Sequence, residues 1–285
     1  YYFLKKIKYR NIPLLLISAL FRKDMSFFQW YGGIQRKILS RFDHLFVQNE
    51  SSKKLMDDIG LGGITSISGD TRFDRVVAIA GKFQPIPLVE QFAGNKKLLV
   101  AGSTWKDDEM LLKETMPYFL FNNMKLLIAP HEISEKNIAF LQETFPGSVL
   151  YSQLEKNPAL TDAQCLIIDN IGMLSRLYNY GFCCYVGGGF TRSGIHNVLE
   201  AAVYDKPVFF GPNYKKYHEA VEIAATGAGI SVAEKEDLIK ALTHYLRDDV
   251  LYRETCANAG NYVRAQSGAT QRIMGYIQEN RLLTN

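Results

Sequence analysis

Residues 181–212, GFCCYVGGGFTRSGIHNVLEAAVYDKPVFFGP, read as a buried strand, a glycine loop, a helix and a second buried strand. Phe182, Cys183, Cys184, Tyr185 and Val186 form an apolar run without alternation, as expected of a parallel strand covered on both faces. Gly187, Gly188 and Gly189 permit positive φ and let the backbone approach a ligand. After the Ser193-Gly194 break, Val198, Leu199, Ala201, Ala202 and Val203 give a helical stripe over 195–204. The N–H groups and positive dipole end at its start would face whatever the loop holds, and an anion suits that place. Asn197 and Glu200, three residues apart, share one helix face, so an amide and a carboxylate can serve the same ligand. The carboxylate suits ribose hydroxyls. Taken alone, the glycine run fits equally an ordinary α/β turn in which Glu200 caps its own helix.

Two better-known phosphate loops fail on spacing. A dinucleotide fingerprint needs a third glycine three places after the second, where Arg192 follows Gly187 and Gly189. Gly189 and Gly194 have P-loop spacing, but Ile195 and His196 stand where Lys and Ser/Thr are required.

Outward from this stretch, apolar runs alternate with helical stripes. Strands are expected over 98–101, 125–129, 148–151, 165–168, 182–186, 207–210 and 229–232. Helices are expected over 107–121, 134–144, 172–179, 195–204 and 215–226, and from about 235 to the end. Such alternation calls for a parallel sheet wrapped by helices. Ligands of such sheets collect beyond the carboxyl ends of the strands. Small or polar residues stand at five of those ends: Gly102, Ser103 and Thr104; Pro130 and His131; Asp169, Asn170, Ile171 and Gly172; the glycine loop; and Gly211, Pro212 and Asn213. His131 alone would as readily be a structural histidine.

The front of the chain holds strands over 12–20, 44–48 and 64–68 and helices over 27–41 and 51–59, the latter capped by Asn49 or Ser51. Three strands are fewer than the five or six of a complete doubly wound sheet, so this domain reads as incomplete at its N-terminal side. Residues 81–96 carry two prolines and two glycines and read as a boundary. The expected division is a first domain over 1–82, a linker over 83–96 and a second domain over 97–285, with the last helix packing back on the first.

The length of 285 residues allows one large or two modest domains, and the composition is that of a globular protein. The four cysteines, Cys165, Cys183, Cys184 and Cys256, lack metal-ligand spacing and read as reduced core residues of a cytosolic protein. The apolar stretch over 12–21 is too short to span a bilayer, and no signal peptide is recognisable. Residues 1–41 hold nine Lys/Arg against one acid, Asp24, while the remainder is slightly acidic. That local excess suits either an anionic lipid surface or acceptor, or a solvated basic face; nothing calls for a nucleic-acid partner.

The segments SGDTRFD (68–74), AGSTWKDDE, IAPHEISEKN, IIDNIGMLSRLY and YVGGGFTRSGIHNVLEAAVYDKPVFFGP resemble, in order, those of bacterial 3-deoxy-D-manno-octulosonic acid (Kdo) transferases. The resemblance runs over essentially the whole chain. It implies an α/β fold of the GT-B type, two Rossmann-like domains with parallel sheets across a cleft. It also implies inverting, metal-independent transfer of Kdo from CMP-Kdo to a lipid A precursor in lipopolysaccharide biosynthesis, with no cofactor. The enzyme would sit peripherally at the cytoplasmic face of the inner membrane. Carried over by residue, Pro130, His131, Ile171, Gly172, Met173, Asn197, Val198, Leu199 and Glu200 would contact the CMP moiety, with Gly188, Gly189 and His196 beside the phosphate and Ser103 and Thr104 as further candidates. Arg72 stands where the family has a basic residue, usually Lys, that stabilises transition-state charge.

Three departures stand out. His131 follows Pro130 where the family often has Arg, and Met173 replaces a family acid. The catalytic base, a Glu of the first domain, and a second acid in a short aromatic-rich motif have no counterpart and are expected ahead of Tyr1. Glu50 and Asp74 are acids within the chain, with no sequence support as base. The alternatives are another GT-B glycosyltransferase or a UDP-sugar epimerase, or a non-catalytic nucleotide-binding fragment.

Overall fold

Two separate parallel sheets, of three and seven strands, organise the chain in the computed structural model, which describes residues 2–283. The chain divides into two compact units: one runs to Arg75 and resumes at Gln266, the other is Val76–Ala265. The fold class is α/β with two parallel-sheet units.

The first unit opens with the basic helix α1 (Tyr2–Tyr9), followed by β1 (Leu15–Ala19), α2 (Gly33–Leu39), β2 (His44–Val47), α3 (Glu50–Asp58), β3 (Thr65–Ile67) and α4 (Thr71–Ala80), which crosses into the second unit. The sheet order is β1-β2-β3. Leu45 and Val47 of β2 are buried with Phe21, Leu39 and Met56, so the middle strand carries this core. The helix expected over 27–41 is interrupted: a single 3-10 turn, Ser26–Phe28, precedes α2, because Gly32 packs against the carbonyls of Ser26 and Phe27. Of the two caps considered for α3, Asn49 serves, its side chain accepting from Ser52 N–H at 2.9 Å.

The second unit runs α5 (Pro87–Ala93), β4 (Lys97–Thr104), α6 (Lys106–Phe121), β5 (Met124–Pro130), α7 (Glu135–Thr144), β6 (Val149–Leu150), α8 (Tyr151–Lys156), β7 (Cys165–Ile167), α9 (Leu174–Leu177), β8 (Cys183–Val186), α10 (Leu199–Ala202), β9 (Val208–Phe210), α11 (His218–Ala225), β10 (Gly229–Ser231), α12 (Lys235–Arg247) and α13 (Asp249–Ala265). The order β10-β9-β8-β4-β5-β7-β6 is parallel throughout. Leu99, Ala101, Leu126, Ile128, Cys165, Ile167, Cys183, Tyr185 and Phe209 form the sheet's part of one core cluster, and the intervening Val100, Leu127, Leu166, Cys184 and Phe210 are buried as well, so both faces are covered and the apolar runs are unbroken.

Residues 83–96 are not an extended linker. Pro87 opens α5, and Val89 and Phe92 are fully buried. The buried Lys125 ammonium, 4.4 Å from the Phe92 ring centroid, donates to the carbonyls of Phe92 and Thr161 and anchors this helix within the second unit. The Cys residues are free, three of them buried.

The chain closes with α14 (Ala269–Glu279), part of the first unit. Its Tyr276 lies on β2, 4.2 Å from the His44 ring and 5.2 Å from Phe46. Asp74 caps its start, accepting Gly268 N–H at 2.5 Å and Thr270 N–H at 2.6 Å.

Candidate functional site

Strands β4 and β8 are neighbours in the second sheet though not in sequence, and the connections leave them in opposite directions. That switch point is where an open parallel sheet leaves a crevice beyond its carboxyl ends. The sequence predicts polar residues there, and the structure gathers them.

One buried side chain joins the two strand ends. Asp108, in the first turn of α6, accepts the Gly188 N–H at 2.8 Å, the Trp105 N–H at 2.9 Å and the Tyr185 hydroxyl at 2.7 Å. Burial pushes this carboxyl above its ordinary range, against the three hydrogen bonds. The Gly188 amide is therefore committed to Asp108 and is not a phosphate donor.

The glycines meet other backbone rather than open space. A Cβ on Gly187 would stand 2.3 Å from the Ser103 carbonyl oxygen, and one on Gly189 would stand 2.5 Å from Gly211 Cα. The run lets three strand ends close on one another, which corrects its reading as a ligand cradle. Only Gly188, with φ of +92°, uses the conformational freedom of glycine.

Three rings stand at the same end. The Trp105 and His131 centroids are 4.5 Å apart at 26°, and those of His131 and His196 are 4.5 Å apart at 25°. Trp105 Nε1 donates to His196 Nε2 at 3.1 Å. Burial, reinforced by the adjacent His131, holds the His196 imidazole below its usual range. His131 N–H donates to the Thr104 carbonyl at 3.0 Å, closing the β4 and β5 ends together.

The helix expected over 195–204 is the single turn α10, because residues 190–197 form an excursion in which Gly194 takes φ of +84° against the Tyr217 ring. Asn197 precedes it, its Oδ1 accepting from Leu199 N–H at 3.2 Å and its amide donating to Glu200 Oε1 at 3.3 Å. The amide and carboxylate meet, although Asn197 lies ahead of the helix and not on a face of it. Val198 and Leu199 are fully buried, so their side chains belong to the core.

On α10, Glu200 lines a small cavity with Ser175 of α9, Val203 and Tyr204. The turn before α9 holds Ile171, exposed at 91%, Gly172 with φ of +93°, and the buried Met173. That turn offers backbone and an apolar tip. Pro130 ends β5 directly before His131.

Ser103 has φ of +53° at a register shift in β4. The Thr104 hydroxyl donates to Glu109 Oε1 at 3.0 Å. Glu109 is fully buried, its Oε2 has no partner among the described residues, and burial pushes its carboxyl up to about 7.

In the first unit, Arg72 is held by Asp70: its Nε lies 2.7 Å from Asp70 Oδ2, and its backbone N–H donates to Oδ1 at 2.9 Å. Asp74 is occupied as the α14 cap. Burial would raise its carboxyl, but the Gly268 and Thr270 donors and the Arg272 charge hold it below the ordinary range. Glu50 is exposed at the start of α3.

Sequence reasoning passed over Trp105, Asp108, Glu109 and Asp70. A tryptophan directly after a polar strand end was the one signal that could have flagged the ring stack. Asp108 and Glu109 carry no comparable signal, because they stand in the acidic first turn of α6 beside Asp107.

Comparison with known proteins bears on the family and the fold. Residues 1–75 match the family model described as 3-deoxy-D-manno-octulosonic-acid transferase (kdotransferase). The 3-deoxy-D-manno-octulosonic acid transferase of Rickettsia conorii is 26% identical over 283 residues, 94% of this chain and 58% of that protein. The chain is similar to the Kdo transferases. It spans little more than half the length of the curated Kdo transferases of Rickettsia that it matches. Among solved structures, the C-terminal CMP-Kdo binding domain of WaaA from Acinetobacter baumannii is 18% identical with a TM-score of 0.55, over 66% of this chain and 98% of that one. UDP-GlcNAc 2-epimerase from Neisseria meningitidis, bound to UDP-GlcNAc, is 15% identical with a TM-score of 0.64, over 97% of this chain and 72% of that one. Both likenesses are of an α/β fold with parallel sheets.

Proposed function

We propose that this chain acts in the transfer of Kdo from CMP-Kdo to a lipid A precursor, and that its second unit holds the CMP part of the donor. The observation that carries this reading is the hydrogen-bonded Asn197–Glu200 pair following His196 in a ring stack at the switch point of the seven-stranded sheet. A carboxylate braced by an amide is a ready acceptor for ribose hydroxyls, and stacked imidazole and indole rings suit a planar base. Pro130 and His131 supply one wall, the 171–173 turn supplies backbone groups, and the backbone at Val198 and Leu199 frames the pair.

The chemistry is inverting and metal-independent in this reading. An acceptor sugar hydroxyl loses its proton and attacks the anomeric carbon, and CMP leaves with the electrons of the broken bond. Arg72, braced by Asp70, supplies positive charge for the developing negative charge. No residue of this chain is assigned as the base, since Asp74 is engaged at α14.

The acceptor is a lipid, and the basic start suits its surface. Lys5, Lys6, Lys8, Arg10 and Arg41 line a cavity of about 810 Å³ with Tyr2 and Tyr9. Phe3 and Trp30 are exposed, and no described helix is long and apolar enough to cross a membrane. Peripheral attachment to anionic lipid at the cytoplasmic face of the inner membrane is the form this reading takes.

The test is a thermal-shift comparison of CMP and UDP, followed by an assay with CMP-Kdo and tetraacylated lipid A in the presence of EDTA. Stabilisation by CMP over UDP supports the reading. A preference for UDP would move it to another GT-B glycosyltransferase or to epimerase chemistry.

A further inference from the structure

An indole N–H can only donate, so the Trp105 contact at 3.1 Å requires a lone pair on His196 Nε2. In a neutral imidazole the proton then sits on Nδ1. His196 Nδ1 has no hydrogen-bond partner among the described residues. The Cδ2–Nε2 edge lies against Gly188, 3.1 and 3.4 Å from where a Cβ would be, so Nδ1 is on the edge turned away from the loop.

The surroundings keep the ring fixed. His131 covers one face at 4.5 Å, and the His196 N–H donates to the Gly187 carbonyl at 3.0 Å. Trp105 is itself held, since its N–H is bonded to Asp108, which also holds Gly188. The titratable groups around His196 are thus His131 from the end of β5, Asp108 from α6, and Glu200 from α10 through Asn197. A second proton on His196 would turn an N–H toward the Trp105 N–H and place a cation against His131.

We propose that Trp105 is a positioning residue that locks His196 in its Nδ1–H tautomer, so that the site offers an uncharged N–H donor to an acceptor oxygen of the bound nucleotide. This rests on the nucleotide reading above. The oxygen is on the phosphate or on the base; both present the same acceptor chemistry. Because this donor carries no charge, His196 itself adds no titration to nucleotide binding in the ordinary histidine range.

Nitrogen-15 NMR of imidazole-labelled protein, with His196 assigned by its absence from His196→Gln, reads the tautomer without any ligand. The wild type is expected to show the proton on Nδ1. In Trp105→Phe, which keeps a ring but loses the N–H, His196 is expected to exchange tautomers and to titrate at higher pH. Calorimetry should show CMP affinity falling about two- to tenfold in that variant at pH 8, the loss of one hydrogen bond. Cytidine separates the two oxygens: a loss seen with CMP alone puts the acceptor on the phosphate, and an equal loss with both puts it on the base. A wild-type spectrum with the proton on Nε2, or an unchanged tautomer and titration in Trp105→Phe, would overturn the proposal. Absence of any CMP binding by the wild type would instead overturn the nucleotide reading, with the tautomer still decided by the spectrum.

Discussion

The Asp108 carboxylate holds the Gly188 N–H at 2.8 Å across 80 residues of sequence, tying the first turn of α6 to the loop after β8. The same carboxylate holds Trp105 and Tyr185, so one buried acid sets both the loop and the ring stack. Asp108→Ala leaves three donors without their partner and is expected to cost about 2–4 kcal/mol, with nucleotide binding lost in step. Urea unfolding and CMP titration of the one variant check both effects.

Glu109 gives a pH dependence of definite sign. Its folded-state carboxyl is raised from 4.5 to about 7, chiefly by burial. Below about 4.5 both folded and unfolded chains keep the proton and no penalty exists. Between 4.5 and 7 the unfolded chain ionises first, so stability falls as pH rises, and above 7 the penalty levels at about 3 kcal/mol. Glu109→Gln should therefore be more stable than the wild type at pH 8 and lose that advantage at pH 4.5, as read by denaturant unfolding at the two values.

The glycines separate by what surrounds them. Gly189→Ala would put a methyl 2.5 Å from Gly211 Cα and should destabilise by at least about 1–3 kcal/mol. Gly275→Ala, inside α14 with nothing within 4 Å, should stabilise by about 0.5–1 kcal/mol. Melting temperatures of the two variants should move in opposite directions.

Asp74 is expected to act as a cap and not as a base. Its carboxyl is held below the ordinary range, so its contribution is present above the unfolded-chain value of 3.8 and is lost as pH falls through the lower folded-state value. Asp74→Ala should cost about 1–2 kcal/mol at pH 7. The difference from the wild type should shrink under acid conditions when unfolding is followed across pH.

Local pattern made much of this legible. The runs around Leu99, Leu126 and Cys184 are unbroken because those strands are covered on both faces, and the polar strand ends mark the switch point without any structure. The Asn197–Glu200 spacing brings amide and carboxylate together as expected, but their mutual hydrogen bond and the place of Asn197 ahead of the helix do not follow from it. What escaped depends on partners distant in sequence. Gly189 needs Gly211, Gly194 needs Tyr217, and Asp108 needs Gly188, so neither the closed glycine loop nor the shortened α10 could be read from residues 187–204 alone. The Pro and Gly content of 81–96 suggests a linker, but Val89 and Phe92 are buried and Lys125 holds them there.

Calorimetric titration of CMP into the wild type and into Glu200→Ala tests the central claim most directly. If the Asn197–Glu200 pair receives the ribose, the wild type binds CMP and Glu200→Ala binds it about ten- to a hundredfold more weakly, the loss of a charge-assisted hydrogen bond. Equal CMP affinity of the two proteins would contradict it.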